Sequence, residues 1–433
     1  MSESKMRRMR ITYFFLLSLV FFAACSSVRD TTVHERIALI NVTIVDVTNG
    51  SLASGQTVVI KRDKIIEIGS ASDIRIDKST SIIDARDKYL IPGLWDMHVH
   101  LELATKQSLP YFIAYGVTGV RDMGANSFDS IKHWRKEIEQ GIQTGPHIIA
   151  PGPIIDGPFF VKELRVTVNT ESEARKAVDS LVALRVDFIK VHQQISKEAY
   201  LALAEQAAKH KIPFVGHKPA ALTTLEVIKA GQSSIEHILS TPDLDDTTIS
   251  QLREAKVFFT PNLLIIDKIA HYNDLSLHGD KRLDQISPIL KHHWKKQTEA
   301  WGDNVNKTVE YMKSVMPVMQ ERTASMQKAG VVLLAGTDIG VPYVYPGSSL
   351  HEELELLVRA GLSPLQALQT ATMNPARLFK KENEMGSIQK GKSADLVLLN
   401  ANPLENIANT KNIDMVFVKG KVFDRKSLDG ILK

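Results

Sequence analysis

Ile91-Pro92-Gly93-Leu94-Trp95-Asp96-Met97-His98-Val99-His100 is the stretch on which the reading of this chain turns. An apolar run ends on two histidines two positions apart, and residues two apart on a strand point to the same face. His98 and His100 can therefore offer two imidazoles to one cation, and imidazole suits zinc and its neighbours. Taken alone, such a pair is also met as two surface histidines. What decides between these readings is the company the rest of the chain supplies.

Outward from that run, from about residue 91 to 380, short apolar segments alternate with longer helical patterns, which predicts repeated βα units and a parallel sheet. Eight strands are predicted: Leu94 to His98, Thr118 to Arg121, His147 to Ala150, Val186 to Val191, Pro213 to His217, Ser234 to His237, Val257 to Thr260 and Val331 to Ala335. Glu171 to Ala183 and Lys197 to Lys209 carry the apolar spacing of helices, and a helical insertion is expected over about 262–330. The fold class is α/β. The span suits a (β/α)8 barrel, for which about 250 residues is typical, although an open doubly wound sheet would give the same alternation. Residues 37–90 and 386–433 read instead as short strands with tight turns, one at Arg62-Asp63 and one around Lys419-Gly420. Neither end has strands enough to bury a core, so together they are expected to form a small β-sandwich domain.

In a barrel, the C-terminal ends of several strands converge on one mouth, where chemistry is placed. His217, His237 and Asp338 all fall at or just past predicted strand ends, beside His98 and His100. Lys190 lies within the mostly apolar Val186-Asp187-Phe188-Ile189-Lys190-Val191. A buried ammonium is costly, and the cost is relieved if the amine is neutral; a neutral amine can react with carbon dioxide to give a carbamate, a carboxylate able to bridge two cations. The alternative is a lysine whose stem packs while its head reaches solvent.

Pro92-Gly93-Leu94-Trp95-Asp96-Met97-His98-Val99-His100, Phe188-Ile189-Lys190-Val191, Gly216-His217, Ile235-Glu236-His237 and Ala335-Gly336-Thr337-Asp338 together resemble the amidohydrolase superfamily. Residues 350–377 and 386–398, including Gly391-Lys392-Ser393-Ala394-Asp395, are similar to that family's C-terminal region, so the resemblance covers nearly the whole chain after the leader. It implies that His98 and His100 hold a buried metal with Asp338, that His217 and His237 hold a second, and that a carboxylated Lys190 bridges two zinc ions per chain. It also implies hydrolysis of a C–N bond in a small-molecule substrate, dipeptide-like or N-acyl amino acid, by a metal-bridging hydroxide, with Asp338 as the catalytic proton carrier. The branch resembled is the imidazolonepropionase-like and prolidase-like one, with Xaa-Pro or Xaa-Arg/Lys dipeptidases. Its dipeptidases carry Gly-Gly-His-Gly-Asp after the third strand, where this chain has Ala150-Pro151-Gly152-Pro153-Ile154-Ile155-Asp156-Gly157.

An alternative is a mononuclear cyclic-amide hydrolase or deaminase with unmodified Lys190. Deaminases of the superfamily usually place an acidic residue after the fifth-strand histidine, whereas His217 is followed by Lys218-Pro219-Ala220-Ala221. A ligand-binding surface protein with a vestigial barrel is the reading from another class. Among the remaining polar residues, His192 shares the strand face of Lys190 and is either a substrate contact or an ordinary rim residue. Tyr343 and Tyr345 either contact substrate or, as is expected, pack in their loop; His292-His293 is expected to lie on a solvated helix face, and Glu352, Glu353 and Arg359 to pair along a helix surface.

Composition narrows the setting. The 433 residues are 44% hydrophobic and 24% charged, an ordinary globular balance that excludes a disordered tail protein. Lys5, Arg7, Arg8 and Arg10 against Glu3 account for most of the formal +4, leaving the remainder near neutral, so no nucleic-acid partner is expected. The apolar run Ile11 to Ala24 follows this basic head and reads as a signal peptide over residues 1–24; a permanent span wants about 20 apolar residues. Cys25, the single cysteine, rules out an internal disulfide. With Phe22-Ala23-Ala24 before it, the site resembles a bacterial lipoprotein signal. The resemblance implies lipidation of Cys25 and an exported protein held by its N-terminal lipid on a membrane, outer membrane or cell surface. The other reading is an incidental thiol beside an ordinary cleavage site. Homo-oligomerisation stays open.

Overall fold

The computed structural model describes residues 35–158 and 164–433. The leader and Cys25 lie outside the described residues. Eight segments run parallel and close into a ring. Leu94–Val99 pairs with Val117–Asp122, and that strand with His147–Ile149. Ile189–Val191, Phe214–His217, Ser234–Glu236 and Phe258–Thr260 continue in parallel. The third and fourth strands are joined where Asp187 N donates to Ala150 O at 3.0 Å and where Ile155 pairs with Val191. The eighth segment bridges Leu333 to Phe259, and the ring closes as Met97 N donates to Ala335 O at 2.8 Å and Asp338 N to His98 O at 2.7 Å. Closure separates this barrel from an open sheet.

The strands are apolar and buried nearly throughout: every residue of Leu94–Val99 and of Val117–Asp122 is buried. That pattern belongs to parallel strands covered on both faces. The helix Glu171–Ala183 starts at a capping box, with Thr170 accepting from Glu173 N while Glu173 returns to the Thr170 backbone. Lys197–His210 starts at Ser196, whose hydroxyl accepts from Ala199 N. Two departures from the sequence expectation concern strands. Ile154–Asp156 and Arg165–Thr167 add a parallel pair beyond the eight predicted strands. The eighth strand keeps one ladder bridge because its backbone bonds are divided between Phe259 and Met97.

The helices Leu263–Ala270, Pro288–Trp301 and Val305–Ala329 lie between the seventh and eighth ring segments. Pro288–Trp301 is tied to the loop after Asp338 by aromatic contacts: Trp294 lies 5.7 Å from Tyr343 and 5.8 Å from Tyr345, ring centre to ring centre. Strands from the two chain ends meet in one mixed sheet. Arg36–Val45 pairs with Leu52–Lys61 and Tyr89–Pro92, and Leu396–Leu399 pairs with Tyr89–Pro92 and Ile413–Val418. Ile37, Leu39, Val58, Ile60, Leu90, Leu396 and Phe417 give this sheet a core of its own.

Candidate metal centre

Strand ends place the polar residues. His98 precedes the last residue of the first strand, His100 follows it, Lys190 is the middle residue of Ile189–Val191, and His217 ends Phe214–His217. His237 follows Ser234–Glu236, and Asp338 follows the eighth segment. Strict alternation would turn His237 away from Glu236, yet both reach the interior because His237 adopts φ 65°. Asp338 adopts φ 60°. Left-handed backbone at a non-glycine residue costs about 1–3 kcal/mol and persists where the surroundings over-determine it.

The side chains converge. One ligand atom each from His98, His237 and Asp338 lie within 4.8 Å of one another, a spacing able to hold a metal ion. Asp338 Oδ1 stands 3.6 Å from His98 Nε2 and 3.4 Å from His100 Nε2, and its Oδ2 is 3.9 Å from His237 Nε2. The His217 ring centre is 4.3 Å from that of His237. Lys190 is 1% exposed, and its charge bears on His98, His217 and His237.

The electrostatics suit a cation. Burial, aided by Lys190, pushes His98 down to about 4; burial and neighbouring imidazoles hold His217 and His237 well below the ordinary histidine value. Near neutral pH these rings are therefore uncharged, the form that ligates. Burial draws the Lys190 amine down to about 8 against the pull of Glu236 and Asp338. Burial alone would raise Asp338, but His98, His100 and His237 hold it well below the carboxylate range. Lys190 Nζ, His217 Nδ1 and His237 Nδ1 are buried with no hydrogen-bond partner among the described residues. Buried polar atoms are nearly always paired, so three orphaned nitrogens on Lys190, His217 and His237 fit a group that these residues would surround.

Beneath the mouth lies a layer that sequence reasoning missed. Glu236 is wholly buried and receives His98 Nδ1 at 3.1 Å, Arg121 Nη2 at 2.8 and 2.9 Å, and Ser234 Oγ at 2.5 Å. Arg121, also buried, donates from Nε to Met97 O at 2.7 Å. Since the carboxylate accepts, His98 Nδ1 carries the proton and Nε2 turns its lone pair toward Asp338. Asp96 accepts from Thr337 N at 3.0 Å and Thr337 Oγ1 at 2.6 Å, joining the first strand to the segment that delivers Asp338. The available signal was alternation: Asp96 shares a strand face with His98, and Glu236 with Ser234.

The His192 ring lies 4.0 Å from that of His217, centre to centre and tilted by 44°, and its Nδ1 lies 3.0 Å from Asp156 Oδ2, so it borders the same mouth. Tyr343 and Tyr345 pack against Trp294 as loop residues. Glu352 and Glu353 depart from the expected helix-surface pairing. Glu353 is buried, accepts from Leu263 N at 3.2 Å and Leu264 N at 2.7 Å, and is pushed up to about 8 by burial. Glu352 pairs with Lys268 and Arg282 of the insertion. Both carboxylates face the insertion helices because their own helix is covered there.

Comparison with known proteins agrees with this architecture. A model described as "Amidohydrolase family" matches residues 89–423. An ochratoxinase from Aspergillus niger is 24% identical over 429 residues, covering 83% of this chain and 81% of that protein. An imidazolonepropionase from Alkaliphilus metalliredigens is 24% identical over 419 residues, covering 84% and 89%. The crystal structure of a prolidase-like protein from Bifidobacterium longum superposes with a TM-score of 0.74 at 26% identity, over 92% of this chain and 98% of the other.

Proposed function

The chain belongs to the amidohydrolase family, hydrolases acting on C–N bonds, and from that premise we propose that it cleaves the amide of a dipeptide-like or N-acyl amino acid substrate. In this reading His98, His100, His217, His237 and Asp338 hold two zinc ions, with Lys190, as a carbamate, between them. The observation that carries it is the meeting of ligand atoms from His98, His237 and Asp338 within 4.8 Å of one another. The likeness to an ochratoxinase, an imidazolonepropionase and a prolidase-like structure supports the bond type.

Bound cations would supply Lewis-acid polarisation of the scissile carbonyl and water made acidic near neutral pH. The chain's own residues do the rest. Asp338, ionised and 16% exposed to the mouth, accepts a proton from the attacking water at its carboxylate and delivers it to the departing nitrogen. The water oxygen joins the acyl carbon, the C–N bond breaks, and a carboxylic acid and an amine leave. Glu236 fixes the tautomer and aim of His98 through Nδ1. The buried Lys190 amine, lowered to about 8, is nucleophilic enough to add carbon dioxide with loss of one proton.

A mononuclear cyclic-amide hydrolase is the second reading, favoured by the three-residue grouping and by the imidazolonepropionase relative. Metal content and mass separate them: two zinc ions with a carbamate on Lys190 support the first, one zinc and an unmodified lysine the second. Screening the zinc-loaded protein against N-acyl amino acids and dipeptides, with and without chelator, tests the reaction; chelator-resistant hydrolysis would refute it. We also propose export and lipid anchoring through Cys25. Fatty-acid label should attach to the full chain and vanish in Cys25→Ser, and label that persists overturns the assignment.

A further inference from the structure

Four imidazoles make a chain of ring contacts at the mouth: His98 lies 4.6 Å from His237, His237 4.3 Å from His217, and His217 4.0 Å from His192, centre to centre. A buried carboxylate stands at each end. Glu236 holds His98 Nδ1 at 3.1 Å, and Asp156, its side chain 0% exposed, has Oδ2 3.0 Å from His192 Nδ1. We infer that Asp156 is a positioning residue that acts through His192 to set the ring of His217 and, through it, the second cation. The inference rests on the two-zinc reading proposed above and names the residue that steadies its second half.

The segment carrying Asp156 is locked to the strand carrying Lys190. Ile155 pairs with Val191, and His192 N donates to Ile155 O at 3.1 Å. Asp156 Oδ1 accepts from Gly157 N at 2.9 Å and from Gln194 N at 2.8 Å. A Cβ on Gly157 would stand 2.0 Å from Gln194 O, so a side chain there would have to part the two backbones. One carboxylate oxygen is thus spent on backbone amides. The other faces side chains, His192 Nδ1 at 3.0 Å and Arg165 Nε at 3.3 Å. Burial alone would raise the Asp156 carboxyl, but His192 and the amides of Gln194 and Gly157 hold it below the ordinary carboxylate value. An ionised acceptor beside Nδ1 keeps the ring proton on that nitrogen, which leaves Nε2 to accept from Arg165 Nη2 at 3.3 Å. His192 is therefore gripped at both nitrogens.

His217 has no such grip. Its Nδ1 is buried with no hydrogen-bond partner among the described residues, and its ring touches those of His192 and His237. Its aim is set by these flanking rings. Backbone brings the neighbours together: Val191 pairs with Gly216, where a Cβ would stand 2.1 Å from Val191 O, and the residues that follow each are His192 and His217. Partners of a ligand that do not themselves touch the metal commonly change its affinity about 10–100-fold. Glu236 acts on His98 through a hydrogen bond, whereas Asp156 acts on His217 through a packed ring, so the two carboxylates steady different parts of the centre.

The test uses the full chain as wild type, Asp156→Asn, His192→Phe and the double variant, with zinc affinities measured by competition against a chelating dye and crystal structures of the chelator-treated proteins. Asn offers one oxygen where Asp156 uses two, so its amide nitrogen meets donors on one side and the hold on His192 or on the backbone is lost. His192→Phe keeps a ring against His217 that needs no such hold. Asp156→Asn is expected to weaken the second zinc about 10–100-fold with the first unchanged, and to move the His217 ring in the metal-free crystals. The double variant should bind the second zinc as His192→Phe does, because Asp156 then has no ring to act through. Wild-type affinity for both zinc ions in Asp156→Asn, or the same loss repeated in the His192→Phe background, overturns the inference and leaves the two-zinc reading standing. A wild type that takes one zinc overturns the two-zinc reading; the metal-free crystals then decide the inference, a displaced His217 ring upholding it and an unmoved one overturning it.

Discussion

Glu236→Gln is the most informative single change, because it removes one charge and almost no volume from a fully buried contact. Glu236 and Arg121 are 0% and 1% exposed in their side chains, and Arg121 Nη2 reaches both carboxylate oxygens at 2.8 and 2.9 Å. Removing one partner of a buried pair strands the other, at about 3–5 kcal/mol. Gln retains an oxygen for Arg121 but not the charge, so a loss of about 3 kcal/mol is expected. The assay is denaturant unfolding of chelator-treated protein, which separates this effect from any metal. The double variant Arg121→Met with Glu236→Gln should be more stable than Glu236→Gln alone, since no stranded guanidinium remains. In zinc-loaded protein, the same substitution should weaken zinc by about 10–100-fold through the freed His98 ring. A loss below about 1 kcal/mol, or strict additivity in the double variant, would refute the reasoning.

Asp338→Asn should retain most of its metal while kcat falls about 10²–10⁴-fold, the usual weight of a positioned acid–base group; near wild-type turnover removes Asp338 from the proton path. His351 sits between Thr410 Oγ1 and Tyr115 O, with burial pushing it down to about 4. The unfolded chain protonates near 6.5, so stability should fall as pH drops from about 6.5 to about 4, by at most about 3 kcal/mol. His351→Gln should lessen the slope of that part of the pH–stability curve, to which the buried His98, His217 and His237 also contribute, and an unchanged slope would contradict the assignment. Gly216→Ala brings a Cβ to 2.1 Å from Val191 O, at φ 141°. Backbone cannot swing aside as a side chain can, so a cost of at least about 1–3 kcal/mol is expected; a wild-type melting temperature would show that the strands separate freely.

Much of the fold is legible in the sequence because buried parallel strands announce themselves. The apolar runs ending on His98, His217 and His237 sit where the barrel needs them, and Glu171–Ala183 is bounded by its Thr170 and Glu173 capping pair. The residues that meet at the mouth were readable for the same reason, since each closes a strand. Glu236 and Arg121 were not, because their meaning lies across the barrel, 115 positions apart in the chain. Ile154–Asp156 and Arg165–Thr167 were hidden by Gly152, Pro153 and their brevity. Glu353 reads as a helix-surface acid until the amides of Leu263 and Leu264 are found facing it.

The most direct measurement is an anomalous difference map at the zinc edge from crystals of the zinc-loaded protein. Two peaks are expected, one among His98, His100 and Asp338 and one at His217 and His237, with added density on Lys190 Nζ between them. A map with no peak against His98, His237 or Asp338 would contradict the account at its root.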